Sequence, residues 1–277
     1  MTAAEAMVAA MARLRAAGVP DPARDARLLL AHAARVDAAR VTLIAPEDIA
    51  PDIAERYDHL VSLRAVRVPV SQLVGARDFY GRRFEISREV LDPRPETESL
   101  VEAALSFPFD RVLDLGLGSG CIIVTLLLER PQATGLGVDI SEAACLQASA
   151  NAILHEVADR LDIQRSDWFE TVEGRFDLIV SNPPYLAASE MKHVQPELRD
   201  HEPRLALTDE ADGLSAYRLI AAEAQGYLSA EGRVMVEMGW RQASDVKAIF
   251  AAQGWGDIAI LPDLDGRDRI LCASKPG

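Results

Sequence analysis

Apolar residues recur every three to four positions in the first part of the chain, a spacing that predicts helices. One helix is predicted over residues 2–17, a second after Pro22, and a third over residues 53–67. Gly18 and Pro20 mark the end of the first of them. We therefore predict that residues 1–72 form a small, all-helical domain.

The spacing of apolar residues changes after residue 72. Two short β-like runs on either side of Gly81 predict a hairpin within residues 73–90, which we interpret as a linker. Farther on, short apolar runs alternate with helical stretches. The predicted strands are 111–115, 135–140, 161–165, 176–181, 233–238, 258–261 and 269–273. The predicted helices between them include 141–155, 216–228 and 242–253. This alternation predicts an α/β fold, a doubly wound and mostly parallel seven-stranded sheet, over residues 91–277. The short turn at Gly266 predicts that the last two strands pair antiparallel.

The composition narrows the range of partners. The chain has 277 residues, of which 49% are apolar, and carries 29 basic against 43 acidic side chains, a net charge of −14. Only three of the basic residues are lysines. Such a chain repels a polyanion but tolerates a basic protein, so we expect no direct nucleic-acid partner.

The sequence also indicates the cellular compartment in which the protein is expected. The longest apolar run, residues 121–128, is far shorter than the roughly 20 residues that a membrane span needs. The three cysteines are widely spaced, which fits a reducing cytosol better than a disulfide framework. We expect a cytoplasmic protein without membrane contact or a metal site, and nothing in the sequence demands more than a monomer.

A glycine-rich loop follows the first predicted strand of the sheet. Residues 114–120 read Asp-Leu-Gly-Leu-Gly-Ser-Gly, and a helix is predicted from Cys121. Glycines permit a tight turn and close approach of a ligand, and the start of a helix favours an anionic group. Asp139 ends the next predicted strand, where a carboxylate can accept hydrogen bonds from ribose hydroxyls. The residues alone leave two nucleotide cofactors open, one with and one without a pyrophosphate.

A second loop, Asn182-Pro183-Pro184-Tyr185, follows the predicted strand 176–181. Ligands of α/β sheets bind at the carboxyl ends of the strands, where this loop is expected. Asn182 offers a side-chain carbonyl and Pro183 a backbone carbonyl on a stiff backbone, with Tyr185 as an aromatic wall. Two fixed acceptors can hold both hydrogens of a planar NH2 group and orient its nitrogen. A glutamine amide, adenine N6 and cytosine N4 all present such a group.

Taken together, these motifs resemble those of the protein-(glutamine-N5) methyltransferases that modify peptide chain release factors, the HemK/PrmC family. Besides the two loops, the similarity covers residues 25–32, Pro-Arg-Pro-Glu-Thr-Glu at 93–98, Ser-Asp-Trp-Phe at 166–169, residues 202–203 and 212–218, and the closing 263–269. The resemblance implies that S-adenosyl-L-methionine is the cofactor, with Trp168 beside its adenine. The cofactor-binding residues that it implies are Gly116, Leu117, Gly118, Ser119, Gly120, Asp139, Trp168 and Asn182.

The resemblance also implies a protein substrate, a peptide chain release factor gripped in part by the helical domain. Asn182, Pro183, Pro184 and Tyr185 are expected to hold the glutamine of its Gly-Gly-Gln loop, with Asn182, Pro183 and Tyr185 as the catalytic residues. Arg94 and Glu96 are expected near the substrate mouth together with Glu98. A charged rim with a helix cap at Thr97 explains this acidic stretch equally well.

Three positions depart from the family's usual residues, namely Asp92, Leu117 and Met238. None of them removes a group that the chemistry needs. The main alternatives are glutamine methylation of a ribosomal protein and adenine-N6 methylation of nucleic acid. A nicotinamide-dependent dehydrogenase would leave residues 182–185 unexplained, and a non-catalytic binding protein would not need Asn182 and Tyr185.

Overall fold

The computed structural model describes residues 1–276, which form two compact units. The helical unit comprises Met1–Ala76 together with the separate segment Gln195–His201. The sheet unit comprises Arg77–Val194 and the residues from Glu202 onward. Within the described residues, no helix combines the length and apolar character needed to cross a bilayer.

Five helices form the first stretch of the helical unit. They are α1 (Ala3–Ala16), α2 (Pro22–Ala34), α3 (Val41–Ile44), α4 (Pro51–Ala65) and α5 (Val70–Val74). Thr2 and Glu5 form a capping box at the start of α1, while Asp21 caps α2 just before Pro22. Leu14 and Leu29 lie fully buried in the common core of these helices. The predicted helical start of the chain is confirmed.

The sheet unit contains a hairpin and a seven-stranded sheet with flanking helices. The strands are β1 (Ala76–Phe79), β2 (Arg82–Glu85), β3 (Arg111–Leu115), β4 (Thr134–Asp139), β5 (Leu161–Arg165), β6 (Phe176–Ser181), β7 (Leu228–Glu237), β8 (Gly256–Pro262) and β9 (Asp268–Ser274). The remaining helices are α6 (Glu98–Leu105), α7 (Cys121–Glu129), α8 (Glu142–Leu154), α9 (Pro196–His201, in the helical unit), α10 (Ser215–Glu223) and α11 (Ala243–Ala252). The hairpin β1–β2 is the one predicted around Gly81.

The large sheet has the order β5-β4-β3-β6-β7-β9-β8. Strands β3 to β7 pair in parallel, whereas β9 runs antiparallel to both β7 and β8. The predicted fold class and the antiparallel last pair are therefore confirmed. Strand β7 begins five residues before the predicted start, because residues 229–232 lack the apolar pattern of a strand. The pairing of β7 with β6 is irregular in this part, where the register shifts.

Successive residues of the central strands face two separate cores. Val112 of β3 joins the core that contains α6 and α7, whereas Leu113 joins the core that contains α10 and α11. The chain runs outward from β3 to β4 and β5 and then returns to β6 on the other side of β3. This reversal places a crevice at the carboxyl ends of β3 and β6, where doubly wound sheets bind their ligands.

Helix α9 is held within the helical unit by buried ion pairs. Arg64 of α4 lies 2.7 Å from Asp25 and 2.9 Å from Glu197 of α9, and Arg67 lies 2.6 Å from Glu197. Burial raises the pKa of Glu197, but hydrogen bonds from Arg67 and Arg64 outweigh burial and leave that pKa below its usual value. Residues 195–201 are therefore part of the helical unit, although they lie more than 100 positions after its other residues.

Candidate active site

The three glycines of the glycine-rich loop, which follows β3, have left-handed backbone conformations. The φ angles of Gly116, Gly118 and Gly120 are +73°, +54° and +76°. A Cβ atom on Gly116 or Gly118 would meet nothing within 4 Å, so open space lies above the loop there. At Gly120 a Cβ would lie 3.0 Å from that of Ala148, so close packing adds to the need for glycine.

Asp139, the last residue of β4, fixes this loop from the neighbouring strand. Its carboxylate accepts hydrogen bonds from the backbone N–H of Gly118 at 3.0 Å and of Ser141 at 2.9 Å. Burial raises the pKa of Asp139, and these two hydrogen bonds act in the opposite direction. The side chain borders the open space above the loop, where it can accept hydrogen bonds from ligand hydroxyls.

Asp114 lies one residue before the end of β3 and is fully buried. Its carboxyl oxygens have no close hydrogen-bond partner, and the backbone N–H of Ile123 lowers the pKa of the group only in part. Burial, reinforced by the nearby charge of Asp139, raises the pKa of Asp114 to about 8. The group is therefore largely protonated at neutral pH.

A cavity of about 290 Å3 brings most of the predicted site residues together. The predicted residues that line it are Gly116, Leu117, Gly118, Ser119, Asp139, Trp168, Asn182, Pro184 and Arg94. Gly120, Pro183, Tyr185 and Glu96 are not among its lining residues. The individual roles assigned to all of these residues stay predictions.

The Asn-Pro-Pro-Tyr loop starts at the end of β6 and is held at both of its ends. The hydroxyl of Ser181 donates a hydrogen bond of 2.7 Å to the backbone carbonyl of Leu115 in β3. At the other end, the side chain of Gln242 donates to the backbone carbonyl of Tyr185 at 2.9 Å and to that of Gly213 at 3.2 Å. Sequence reasoning missed Gln242, because its contact with the loop spans 57 positions of the chain.

Gly213 packs against the same loop. A Cβ atom on Gly213 would lie 2.3 Å from the carbonyl oxygen of Tyr185, and its φ of +76° also favours glycine. The contacts with Gly213 and Gln242 therefore fix this end of the loop.

Burial raises the pKa of the Tyr185 hydroxyl to about 12, so this group stays neutral.

Arg94 lines the cavity and belongs to a network of ion pairs. Its guanidinium lies 2.6 Å from the carboxylate of Glu202 and 3.9 Å from that of Asp92. Burial lowers the pKa of Arg94, but Glu202 and Asp92 outweigh it and raise the pKa above its usual value. Asp92, which departs from the family pattern, also lies 3.8 Å from Arg77 and so serves as a shared counter-charge. Glu98 instead accepts a hydrogen bond of 2.9 Å from the backbone of Tyr80.

The other two departures are buried apolar side chains. Leu117 is buried, and its Cδ1 atom lies 2.7 Å from the position that a Cβ on Gly137 would occupy. Met238 is fully buried, and its backbone carbonyl accepts a hydrogen bond from the side chain of Arg269. Leu117 also lines the cavity, to which it contributes an apolar side chain.

Glu237 is a site residue that sequence reasoning missed. It ends β7 with 1% of its surface exposed, and its carboxyl is hydrogen-bonded by the side chains of Thr97 and Asn182. Asn182 Nδ2 in turn donates to Thr97 Oγ1 at 3.2 Å. Burial raises the pKa of Glu237 to about 7, against the opposing effects of Thr97 and Arg269. An acidic residue at a strand end usually faces water, so the sequence carries no signal for this contact.

The fold and this site define a class I methyltransferase, an enzyme that takes its methyl group from S-adenosyl-L-methionine. The model of the methyltransferase small domain matches residues 87–201, and that of the PrmC N-terminal domain matches residues 5–75. A release factor glutamine methyltransferase from Cereibacter sphaeroides is 52% identical over 100% of this chain and 99% of its own, and one from Agrobacterium fabrum is 41% identical over 98% and 96%. The chain belongs to the release factor glutamine methyltransferase family.

A comparison of solved structures gives the same fold. A methyltransferase from Pyrococcus furiosus superposes with a TM-score of 0.56 at 15% identity, over 72% of this chain and 91% of its own. At that identity the likeness concerns the fold alone.

The residues present fit S-adenosyl-L-methionine. The space above Gly116 and Gly118 admits a ligand that no side chain obstructs, and the Asp139 carboxylate at its edge suits ribose hydroxyls. The half-buried ring of Trp168 offers an apolar surface for a base. Asp139, Trp168 and the glycine loop are the residues that would hold this cofactor.

Replacement of Asp139 tests this arrangement. We expect Asp139→Ala to weaken binding of S-adenosyl-L-methionine by about 10- to 100-fold, because hydrogen bonds to a charged acceptor contribute about 1.5–3 kcal/mol. Isothermal titration calorimetry measures the dissociation constant directly. Asp162→Ala, on the exposed face of the adjacent strand β5, is the matched control and should bind normally. An unchanged dissociation constant for Asp139→Ala would contradict the assigned role.

Proposed function

We propose that this protein methylates the side-chain amide nitrogen (N5) of the glutamine in the Gly-Gly-Gln loop of peptide chain release factors. The observation that carries the proposal is the position of Asn182, which lines the same cavity as the glycine loop and Asp139. A methyl donor and an amide acceptor can thus be held next to each other. Relatives that match all or nearly all of this chain are named release factor glutamine methyltransferases.

The chemistry requires orientation of a weak nucleophile. An amide nitrogen shares its lone pair with its own carbonyl group, so it reacts poorly unless it is held in a favourable geometry. S-adenosyl-L-methionine supplies an electrophilic methyl group when it is bound. The carbonyl of the Asn182 side chain and the backbone carbonyl of Pro183 accept the two N–H groups of the substrate amide and direct its nitrogen.

The same two acceptors explain selection of glutamine over glutamate. A carboxylate would place oxygen lone pairs against the oxygens of Asn182 and Pro183, which is repulsive. Tyr185 flanks the substrate with a neutral hydroxyl, since burial raises its pKa to about 12. Pro184 and Arg94 line the cavity, and Glu96, two positions after Arg94, is assigned to the substrate side by the family resemblance.

The proposal extends to the setting of the reaction. We infer that the protein acts in the cytoplasm, as a monomer, on the release factor itself and not on nucleic acid. The net charge of −14 supports the last point, because it disfavours approach of a polyanion.

Transfer of labelled methyl groups tests the substrate. The purified protein is incubated with labelled S-adenosyl-L-methionine and a release factor, or with a copy of that factor whose Gly-Gly-Gln glutamine is changed to alanine. We expect label on the first protein and none on the second. Label on both would place the modification at another residue. Label on neither, with cofactor still bound, would overturn the proposal and direct attention to ribosomal proteins and nucleic acids.

A further inference from the structure

Asn182 can present either end of its side-chain amide to the cavity, and only one of the two orientations suits the proposed reaction. With the carbonyl oxygen toward the substrate, Asn182 accepts an N–H; with the NH2 group there, it repels the substrate amide. The half-turn about the last side-chain bond that exchanges the two ends changes the shape of the residue very little. Something outside the side chain must therefore select the orientation.

The contacts of Thr97 and Glu237 supply that selection. Thr97 is 2% exposed, and its Oγ1 accepts a hydrogen bond of 3.2 Å from Asn182 Nδ2. A hydroxyl has a single hydrogen to donate, and the Glu237 carboxyl is its hydrogen-bond partner. An ionised carboxylate can only accept, so the Thr97 hydrogen is committed to Glu237. Thr97 can then only accept from Asn182, which requires the NH2 group of Asn182 to point toward it.

Glu237 also acts on Asn182 directly. Its carboxyl accepts a hydrogen bond from the Asn182 side chain, and its buried Oε2 atom has no partner of its own. Both contacts hold the NH2 end of the Asn182 amide away from the substrate, so the oxygen end faces the cavity that Asn182 lines.

We propose that Glu237 is a positioning residue which, directly and through Thr97, fixes the Asn182 amide with its carbonyl oxygen toward the substrate amide. The inference rests on the proposed function, because it assigns a reason for that orientation. Glu237 does not touch the substrate; it acts through Asn182.

The groups around Glu237 define how the arrangement responds to pH. The charged and titratable side chains that act on Glu237, or are acted on by it, are Glu96, Arg269, Tyr185, Tyr217 and Cys121. Burial keeps the pKa values of Tyr185 and Cys121 at about 12 and that of Tyr217 well above its usual value, so these three stay neutral. The pKa of Glu237 itself is about 7. Below that pH a protonated Glu237 can donate to Thr97, which frees the Thr97 hydrogen and permits the reversed amide.

The test compares Glu237→Gln with the unaltered protein. A glutamine has the same shape but can donate a hydrogen bond, so it mimics the protonated carboxyl at every pH. We expect kcat to fall by about 10- to 100-fold, while KM for the release factor and the dissociation constant of S-adenosyl-L-methionine change less than about threefold. The rise of kcat with pH through about 7 should be present in the unaltered protein and lost in Glu237→Gln.

Substitutions at Thr97 give an independent readout. Thr97→Val keeps the shape but removes the hydroxyl, and we expect a loss of kcat similar to that of Glu237→Gln. Thr97→Ser restores the hydroxyl and should recover most of the activity. Thermal unfolding of each variant checks that the fold is retained.

Two results would overturn the inference. The first is a Glu237→Gln variant with unchanged kcat and an unchanged pH profile. The second is a loss that appears equally in cofactor binding and in unfolding temperature, which is the mark of a purely structural role. Failure of the proposed function is a different result, since the unaltered protein itself would then leave the release factor unlabelled.

Discussion

Asn182→Ala is expected to reduce methyl transfer to a release factor about a thousandfold, because it removes an acceptor that orients the substrate amide. The remaining acceptor, the backbone carbonyl of Pro183, cannot hold both N–H groups by itself. The side chain of Asn182 is only half-buried, so its truncation should leave the fold intact. A single-turnover assay with labelled S-adenosyl-L-methionine measures the rate of transfer without interference from product release.

Two controls separate orientation from other effects. Calorimetry should show that cofactor affinity of Asn182→Ala falls less than about tenfold, far less than the rate. Asn182→Gln retains an amide but moves it by one methylene, and it should also lose most of the activity, since near-attack geometry tolerates little displacement. A folded, cofactor-binding Asn182→Ala protein with near-normal turnover would refute the account of the Asn-Pro-Pro-Tyr loop.

Gly213→Ala is expected to lower kcat/KM about 100-fold although Gly213 does not line the cavity. The new Cβ would lie 2.3 Å from the Tyr185 carbonyl oxygen, so the backbone of Tyr185 must move. That movement also disturbs the hydrogen bond from Gln242 to the same carbonyl, which is 2.9 Å long in the structure. The displacement then passes along the two stiff prolines to Asn182. Steady-state kinetics with the release factor as the varied substrate measures the loss.

Gly254 offers a matched control. Its φ of +76° equals that of Gly213, but a Cβ there would meet nothing within 4 Å. Gly254→Ala should therefore carry the same backbone strain, about 1 kcal/mol, without a change in kcat/KM. If Gly213→Ala and Gly254→Ala lose the same small amount of stability and neither loses activity, the clamp on Tyr185 is not needed for catalysis.

Much of the fold could be predicted because its periodicity is local. Strands β3, β5 and β6 match their predicted ranges. Strands β3 and β6 are short, mostly apolar runs between polar turns, whereas β5 begins with apolar and polar residues in alternation. Helix α9 could not be predicted: it has six residues, and it is held by Arg64 and Arg67, which lie some 130 positions earlier in the chain. Its identity as a helix depends on a contact and not on a pattern.

The same difference between local sequence patterns and long-range contacts applies to the candidate active site. The glycine loop and the Asn-Pro-Pro-Tyr loop are continuous stretches whose residue types indicate their chemistry. Most of their residues line one cavity. Glu237, Gln242 and Gly213 support that chemistry from elsewhere in the sequence. Each of these three depends on a neighbour that only the folded chain supplies, such as Thr97 for Glu237 and Tyr185 for the other two.

The inclusion of residues 195–201 in the helical unit constrains how the protein can be recombined with its relatives. A graft that exchanged residues 1–76 alone would part Arg64 and Arg67 from their native Glu197. Breaking such a buried ion pair costs about 3–5 kcal/mol. A chimaera that is to keep these ion pairs in their native form therefore has to transfer residues 1–76 and 195–201 together.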